Sequence, residues 1–334
     1  MISVIIPAYN IGIYISDCLN SIRQQTFKDY EVVAVNDGSK DDTLTVLNDY
    51  KKKYPEFPLT IIDKENEGVT AARRDGFIAS KGEWICFVDG DDLLPDTALF
   101  SLSANISFGI DAICGAYESF HDGDDVLCLN PIKVPEGRYP CRDVIKFMMI
   151  NKFNSAPWAK LYRKNKIELA MFDLSRDITN KEDTIFNFRF FSLAFGDIAM
   201  TKAIVYQYRK ARIGSAFAKM YLSKGINVDY ELKVYDIIEN IVKSIRDFDK
   251  ENPQCFSILY YNLMWSCKNS LFNYRGNSFD LIERKINYIN LDYIQEDRII
   301  KKYIKYFLIK TIILYSKVCS PILKGIDFVI KKFR

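Results

Sequence analysis

Four short apolar runs break up the first ninety residues, and each ends in a polar or acidic cluster. Ser3–Pro7 and Glu31–Asn36 are rich in Val and Ile, Thr60–Asp63 is shorter, and Trp84–Asp89 is the fourth. Amphipathic segments lie between them. Ile13–Gln25 carries Ile15, Leu19 and Ile22 at helical spacing. Asp41–Lys53 opens with acids suited to a helix N-terminus and turns Leu44 and Leu47 inward, and Val69–Ser80 precedes the stop signal Gly82. Such strand–helix alternation with short connections demands parallel strands joined by right-handed crossovers. A sheet of this kind gathers its strand ends along one edge, where open α/β folds place their ligands.

The strand ends have a common chemical character. The fourth run delivers Asp89-Gly90-Asp91-Asp92, three carboxylates within four residues. Carboxylates so clustered repel one another unless a positive group sits among them. A Mg²⁺-type ion binds through one or two carboxylates plus substrate phosphate, which points to a nucleotide-diphosphate substrate. The first strand ends Pro7-Ala8-Tyr9-Asn10, the second Asn36-Asp37-Gly38-Ser39, and the third turns at Asn66-Glu67-Gly68-Val69 into a helix bearing Arg73 and Arg74. Tyr9 can pack against a base, Asp37 can accept from a base N–H, and a helix N-terminus with arginine nearby can hold phosphate. Each motif alone has a plain structural reading: Asp-Gly-Ser as a turn, Asn-Glu-Gly as a helix entry, Asp91-Asp92 as the cap of a helix starting at Leu93. Their appearance in order at successive strand ends favours a shared site.

Farther on, Ile110–Phe120 reads as a strand followed by the polar tip 121–125, a hairpin turn. Arg142–Ile150 and Glu182–Leu193 read as helices and Ile198–Tyr208 as a last strand. After Gly214-Ser215 the texture becomes Lys-, Tyr-, Ile- and Leu-rich with few turn signals, so helices are expected there. The expected architecture is a Rossmann-type α/β fold, a mixed, mostly parallel sheet flanked by helices, with a C-terminal helical extension. Residues 1–215 would form the first domain, with the nucleotide-binding strand ends in 1–100 and a second region over 101–215. Residues 216–334 would form the helical region, ending in a basic tail over 298–334.

These elements together resemble the family 2 inverting glycosyltransferases of GT-A fold, of the bacterial surface-polysaccharide type. The resemblance covers about residues 1–215. It rests on Pro7-Ala8-Tyr9-Asn10, Asn36-Asp37-Gly38-Ser39, Asn66-x-Gly68 with Ala72-Arg73, Phe87-Val88-Asp89-Gly90-Asp91-Asp92 and Pro157-Trp158-Ala159-Lys160-Leu161-Tyr162-Arg163. Glu182-Asp183 and Tyr208-Arg209-Lys210-Ala211-Arg212-x-x-Ser215 complete it. The resemblance implies a nucleobase pocket lined by Pro7, Tyr9 and Asp37, with Asn10, Asn66, Gly68 and Gly90 in the surrounding loops. It also implies Arg73 beside the nucleotide, Asp89 near the ribose or sugar, and Asp91 as ligand to Mn²⁺ or Mg²⁺.

Displacement at the anomeric carbon needs a base for the incoming hydroxyl and cationic help for the departing diphosphate. The resemblance puts that base at the Glu182-Asp183 pair. Asp183, at a helix start beside the apolar Ile185, Phe186, Phe188 and Phe190, is the candidate; the plain reading is that both acids complement the helix dipole. Arg209 and Arg212 either reach over the diphosphate or are solvated charges in a connector. Trp158 either stacks on a sugar or belongs to the core. His121, the only histidine, lies in a Gly- and Asp-rich turn and reads as a solvated residue, which removes Ser-His-Asp chemistry.

The eight cysteines form no CxxC pair and read as buried thiols of a reducing compartment. Met1-Ile2-Ser3-Val4 opens directly into a strand pattern without a signal peptide, and no apolar run is long enough to span a bilayer. From Arg298 onward ten basic residues face one acid, a net +9, against −6 for the remainder. Apolar residues there recur at three- and four-residue steps with lysines between them, a pattern suited to an anionic membrane surface. A packed helix with outward lysines is the alternative; stacking aromatics for nucleic acid are missing. The expectation is a cytoplasmic enzyme, peripheral at the inner face of the plasma membrane, with an oligomer possible. It would move a hexosyl or N-acetylhexosaminyl group from a nucleotide sugar, UDP-linked as the first choice, to a glycan or lipid-linked saccharide of an O-antigen or capsule. The rivals are a sugar-phosphate nucleotidyltransferase and a non-catalytic sugar-nucleotide-binding or membrane assembly protein.

Overall fold

The structure is a computed structural model, described for residues 1–121, 128–130, 135–150, 153–210, 227–252, 254–257, 259–260 and 263. The chain divides into two compact units, Met1–Ser215 and Ala216–Arg334.

In the first unit the apolar runs become β1 (Ile2–Ala8), β2 (Tyr30–Asp37), β3 (Leu59–Lys64) and β4 (Trp84–Phe87). The amphipathic segments become α1 (Gly12–Arg23), α2 (Thr43–Lys53) and α3 (Val69–Ala79). β1 pairs in parallel with β2 and with β4, and β2 with β3. β1 is buried along its whole length because both of its faces are covered, which is why its sequence is continuously apolar rather than alternating. β4 is shorter than the apolar run, so Val88 and Asp89 are already in the loop that follows it.

The sheet continues through α4 (Ala98–Ser103), β5 (Ile110–Phe120), β6 (Cys128–Asn130), β7 (Gly137–Pro140), α5 (Cys141–Met149), β8 (Lys160–Arg163), α6 (Glu182–Leu193) and β9 (Asp197–Arg209). Its order is β3-β2-β1-β4-β8-β5-β9-β7, with β6 paired to β5. The β3-β2-β1-β4 half is parallel throughout, and β8 enters antiparallel between β4 and β5. β5 and β9 run parallel, and β6 pairs antiparallel with β5. The chain turns from one side of β1 to the other between β3 and β4, so the ends of β1 and β4 flank a topological switch point.

An aromatic layer fixes α6 on the sheet. Phe186 meets Phe87 at 5.6 Å and Tyr162 at 5.7 Å, and Phe190 meets Tyr162 at 4.8 Å. Phe172 closes the layer against Phe186 at 5.2 Å and reaches Phe77 of α3 at 5.6 Å. The three edge-to-face pairs, Phe186 with Phe87 and Tyr162 and Phe190 with Tyr162, add about 0.5–1.5 kcal/mol each beyond the area they bury. The start of α6 is thereby held next to α3 and the end of β4.

The second unit contains α7 (Val228–Ser244) and α8 (Phe248–Glu251) among its described residues. Asn227 caps α7, accepting from the Tyr230 N–H through its side chain. The basic tail over 298–334 lies outside the described residues, as do Arg212 and residues 122–125 of the turn. Among the described residues no helix is long and apolar enough to cross a membrane.

Candidate active site

The loops after β1, β2 and β3 are knitted together. The Asn10 N–H donates to Ser39 Oγ at 3.1 Å, and the Lys40 N–H donates to Asn10 Oδ1 at 2.7 Å. Asn10 has φ of 52°, a left-handed conformation that Asn tolerates better than most residues. Tyr9 beside it is 45% exposed, so its ring is open to a ligand. Pro7, by contrast, is buried within β1 and offers no comparable face.

Asp37 is buried, and both of its carboxylate oxygens accept hydrogen bonds. Oδ1 accepts from the Glu67 N–H at 2.9 Å and Oδ2 from the Gly68 N–H at 2.8 Å, while Asn66 Nδ2 donates to the Asp37 carbonyl at 2.8 Å. Asp37 therefore stitches the third loop to the second. Gly68 holds φ of 94°, which only glycine adopts at low cost, and an added Cβ would meet nothing, so the requirement there is conformational. Gly90 has the opposite reason. A Cβ there would come within 2.4 Å of Ile11 Cδ1 and 3.1 Å of both Ile15 and Ile6, so Gly90 serves core packing beneath the loop.

The acidic loop is braced from β9. Tyr206 Oη donates to Asp92 Oδ2 at 2.6 Å and accepts from the Asp89 N–H at 3.1 Å. The Arg209 N–H donates to Asp92 Oδ1 at 2.8 Å, and Arg209 Nε donates to the Asp91 carbonyl at 2.7 Å. Burial first, then Asp91 and Asp89, push the Asp92 carboxyl well above its usual range. Asp92 is thus a structural acid. It caps no helix at Leu93, because Leu93 pairs with Gln207 and α4 begins only at Ala98. Arg209 is neither a mobile clamp nor a solvated charge: it is 7% exposed, with its guanidinium over Tyr14 and Phe120. Tyr206 escaped the sequence reading because a tyrosine on a strand carries no local sign of a partner more than a hundred residues away.

Trp158 belongs to the core. It is 7% exposed and stacked on Tyr206 at 4.6 Å and on Tyr208 at 5.6 Å, so the sugar-stacking expectation is corrected. The loop carrying it is fixed by the fully buried Lys160, whose Nζ donates to the Ala156 carbonyl at 2.7 Å and the Trp158 carbonyl at 3.3 Å. Burial pulls the Lys160 ammonium below its ordinary value. His121 is exposed.

At the centre lies Arg73. It is 6% exposed, with Nη2 donating to Asp89 Oδ1 at 2.8 Å and Nη1 to Asp183 Oδ1. Burial works against the Arg73 charge, but Asp183 and then Asp89 more than offset it and raise the guanidinium above its usual value. Burial, set against the nearby Arg73 charge, pushes Asp89 up to about 6. Burial and then Asp183 push Glu182 up to about 7. Lys181, just before α6, has φ of 73°, a left-handed turn that aims the first two acids of the helix at Arg73. Arg73 and Glu182 line a small cavity with Thr70, Phe87, Pro157, Phe172 and Phe186. Arg73 Nε and Glu182 Oε2 are both buried without a partner, an arrangement that calls for a polar ligand atom or water.

Among the described residues no three His, Cys, Asp or Glu side chains are grouped to hold a metal by themselves. The donor set fits a phosphate-bound ion all the same. Asp91 stands in the loop between Asp89, which meets Arg73, and Asp92, which Tyr206 and Arg209 hold, a run of carboxylates suited to a hard cation that draws its other ligands from phosphate and water.

A parallel half-sheet with acidic and cationic groups gathered at its switch point defines the chain as an α/β protein of GT-A type. The sequence model of Glycosyl transferase family 2 matches residues 3–170, half of the chain, and the protein belongs to that family. The glycosyltransferase EpsH of Bacillus subtilis (strain 168) is 29% identical over 257 residues, covering 75% of this chain and 72% of EpsH. The poly(ribitol-phosphate) beta-glucosyltransferase of Bacillus spizizenii is 26% identical over 270 residues, covering 77% of this chain but only 39% of that protein. Among solved structures, residues 1–349 of S. aureus TarS in complex with UDP superpose with a TM-score of 0.63 at 20% identity, covering 87% of this chain and 82% of that one. The family and the GT-A-like fold expected from the motifs are therefore confirmed, and membership of the family separates the chain from sugar-phosphate nucleotidyltransferases.

Proposed function

We propose that this glycosyltransferase moves a sugar from a UDP-sugar to a hydroxyl of a glycan acceptor, with inversion at the anomeric carbon. The observation that carries the reading is the single guanidinium of Arg73 holding Asp183 and Asp89 side by side. It brings the candidate base within one side chain's breadth of the acidic loop on which the nucleotide would sit. That TarS, which shares this fold, was solved in complex with UDP supports a uridine nucleotide as the donor's carrier. Tyr9 is the exposed aromatic at that edge and would pack on the base, with the loops of Asn10, Asn66 and Gly68 forming the pocket wall.

The acceptor hydroxyl would give its proton to Asp183 as its oxygen bonds to the anomeric carbon. The bond from that carbon to the diphosphate oxygen breaks in the same displacement, and the electron pair leaves with the nucleoside diphosphate. A Mn²⁺ or Mg²⁺ ion held by Asp91 would neutralise charge on the departing diphosphate. Asp183 has the setting such a base needs. It stands at a helix N-terminus, next to the aromatic layer of Phe87 and Phe186, with one carboxylate oxygen held by Arg73.

The likeness to a poly(ribitol-phosphate) beta-glucosyltransferase supports a polymer as acceptor; in our reading it is a surface glycan, lipid-linked and met at the inner face of the plasma membrane. The catalytic work falls to the unit 1–215, and the basic tail would contact anionic lipid. Asp183→Asn tests the reading. Loss of a positioned base costs about 10²–10⁴ in rate. Transfer from a UDP-sugar panel should fall by that factor while UDP binding stays unchanged in calorimetry. Wild-type turnover in the variant would place the base elsewhere.

A further inference from the structure

We propose that Arg73 is a positioning residue for the base and not a nucleotide contact: it fixes the Asp183 carboxylate and ties its orientation to the donor loop through Asp89. The inference rests on the reading of Asp183 as base. It goes beyond that reading by assigning what aims the base.

Three features of the geometry lead there. Arg73 is 6% exposed, and both of its terminal nitrogens face the two acids, Nη2 donating to Asp89 and Nη1 to Asp183. Each carboxylate gives Arg73 only its Oδ1, which leaves Oδ2 unengaged by the described residues. Asp183 remains 26% exposed and Asp89 27%, so both side chains are open to substrate. Finally, the two acids come from separate elements, the loop after β4 and the first turn of α6, and the guanidinium of α3 bridges them.

A guanidinium presents its donors in a rigid planar fork, so each carboxylate is fixed in plane as well as in position. That matters for a general base, because the lone pair of Asp183 Oδ2 must face the acceptor hydroxyl at hydrogen-bond distance. Misplacing a reacting group by an ångström can cost about 10²-fold in rate. Arg73 is itself held firmly. Gly76, one turn along α3, lies directly against Ile5 and Val35, and Phe77 packs on Phe172 of the aromatic layer that also holds α6. Asp89 is anchored in turn by Tyr206 through its backbone N–H. The donor loop and the base are therefore registered to one another by one buried cation.

The test uses the full chain with Arg73→Lys, Arg73→Gln and Asp183→Asn. UDP release is followed over a panel of UDP-glucose, UDP-galactose and UDP-N-acetylglucosamine with Mn²⁺, and UDP binding is measured by calorimetry. Arg73→Gln should lower kcat by about 10²-fold, with donor KM and UDP Kd within threefold of wild type by the same logic. Arg73→Lys keeps the charge without the fork and should recover part, but not all, of that loss. If Arg73→Gln does not fold, as judged by near-UV circular dichroism, Arg73→Lys decides alone. In the Asp183→Asn background Arg73→Lys should change the residual rate little, since the group it aims is gone; a purely structural role would add its full effect there.

A raised KM or Kd with unchanged kcat would make Arg73 a nucleotide contact and overturn the proposal, as would wild-type kcat in Arg73→Lys. Full activity of Asp183→Asn, or no turnover of any donor by the wild type, would instead defeat the underlying reading of the reaction.

Discussion

Glu182 stands where three carboxylates crowd one guanidinium. Asp89, Asp183 and Arg73 are the charged groups that act on it, and its Oε2 is buried without a partner. Burial first and Asp183 second hold its pKa up to about 7, against 4.5 in an unfolded chain. The folded protein therefore retains a proton on Glu182 that the unfolded chain has released. Stability then falls as pH rises from the unfolded value through the folded one, and the loss is complete above it. Glu182→Gln removes this dependence. Its Tm relative to wild type should shift in the variant's favour between pH 5 and pH 8, and a difference that stays constant across that range would contradict the assignment. At this scale the sequence showed the acids and hid their partners. Asp183 was legible because it follows Glu182 at a helix start before an apolar run. The partnership with Arg73 was not, because nothing local relates residues that meet only when α3 and α6 dock. Trp158 and Gly90 illustrate the same limit: an aromatic or a glycine in a motif has the same letter whether it faces a ligand or fills a core.

Helix α3 shows how an element's packing sets the site. Its inner face approaches β1 so closely that a Cβ on Gly76 would lie 2.4 Å from Ile5 Cγ2 and 3.3 Å from Val35 Cγ2. By propensity alone Gly76→Ala would stabilise an exposed helix by about 1 kcal/mol. Here overpacking outweighs it and should destabilise the fold by about 1–3 kcal/mol, read from urea denaturation; a neutral or stabilising result would mean that α3 can ride outward without cost. The periodic helices and the buried parallel strands were legible because long apolar patterns carry their own signature. β6 and β7 were not: Cys128–Asn130 and Gly137–Pro140 are short and largely exposed, so pairing rather than burial defines them. The start of α2 shifts for a comparable reason. Asp41, expected inside the helix, instead accepts from the Gly12 and Thr43 N–H groups and joins α2 to the start of α1.

For the molecule as a whole, the parallel half of the sheet followed from strand–helix alternation, whereas the insertion of antiparallel β8 between β4 and β5 did not. That insertion carries the Pro157–Arg163 segment across the middle of the sheet, where Tyr162 seats α6, so the candidate base owes its place to a pairing no local pattern encodes. The account depends most on one junction, the acidic loop at the switch point receiving a metal-bound nucleotide beside Asp183. Calorimetric titration of UDP into the protein with Mn²⁺ tests it directly. The prediction is saturable binding that weakens when the metal is chelated, and at least tenfold weaker binding in Asp91→Ala, equivalent to about 1.4 kcal/mol. No uptake of UDP under either condition, or the same affinity in Asp91→Ala as in the wild type, would contradict it.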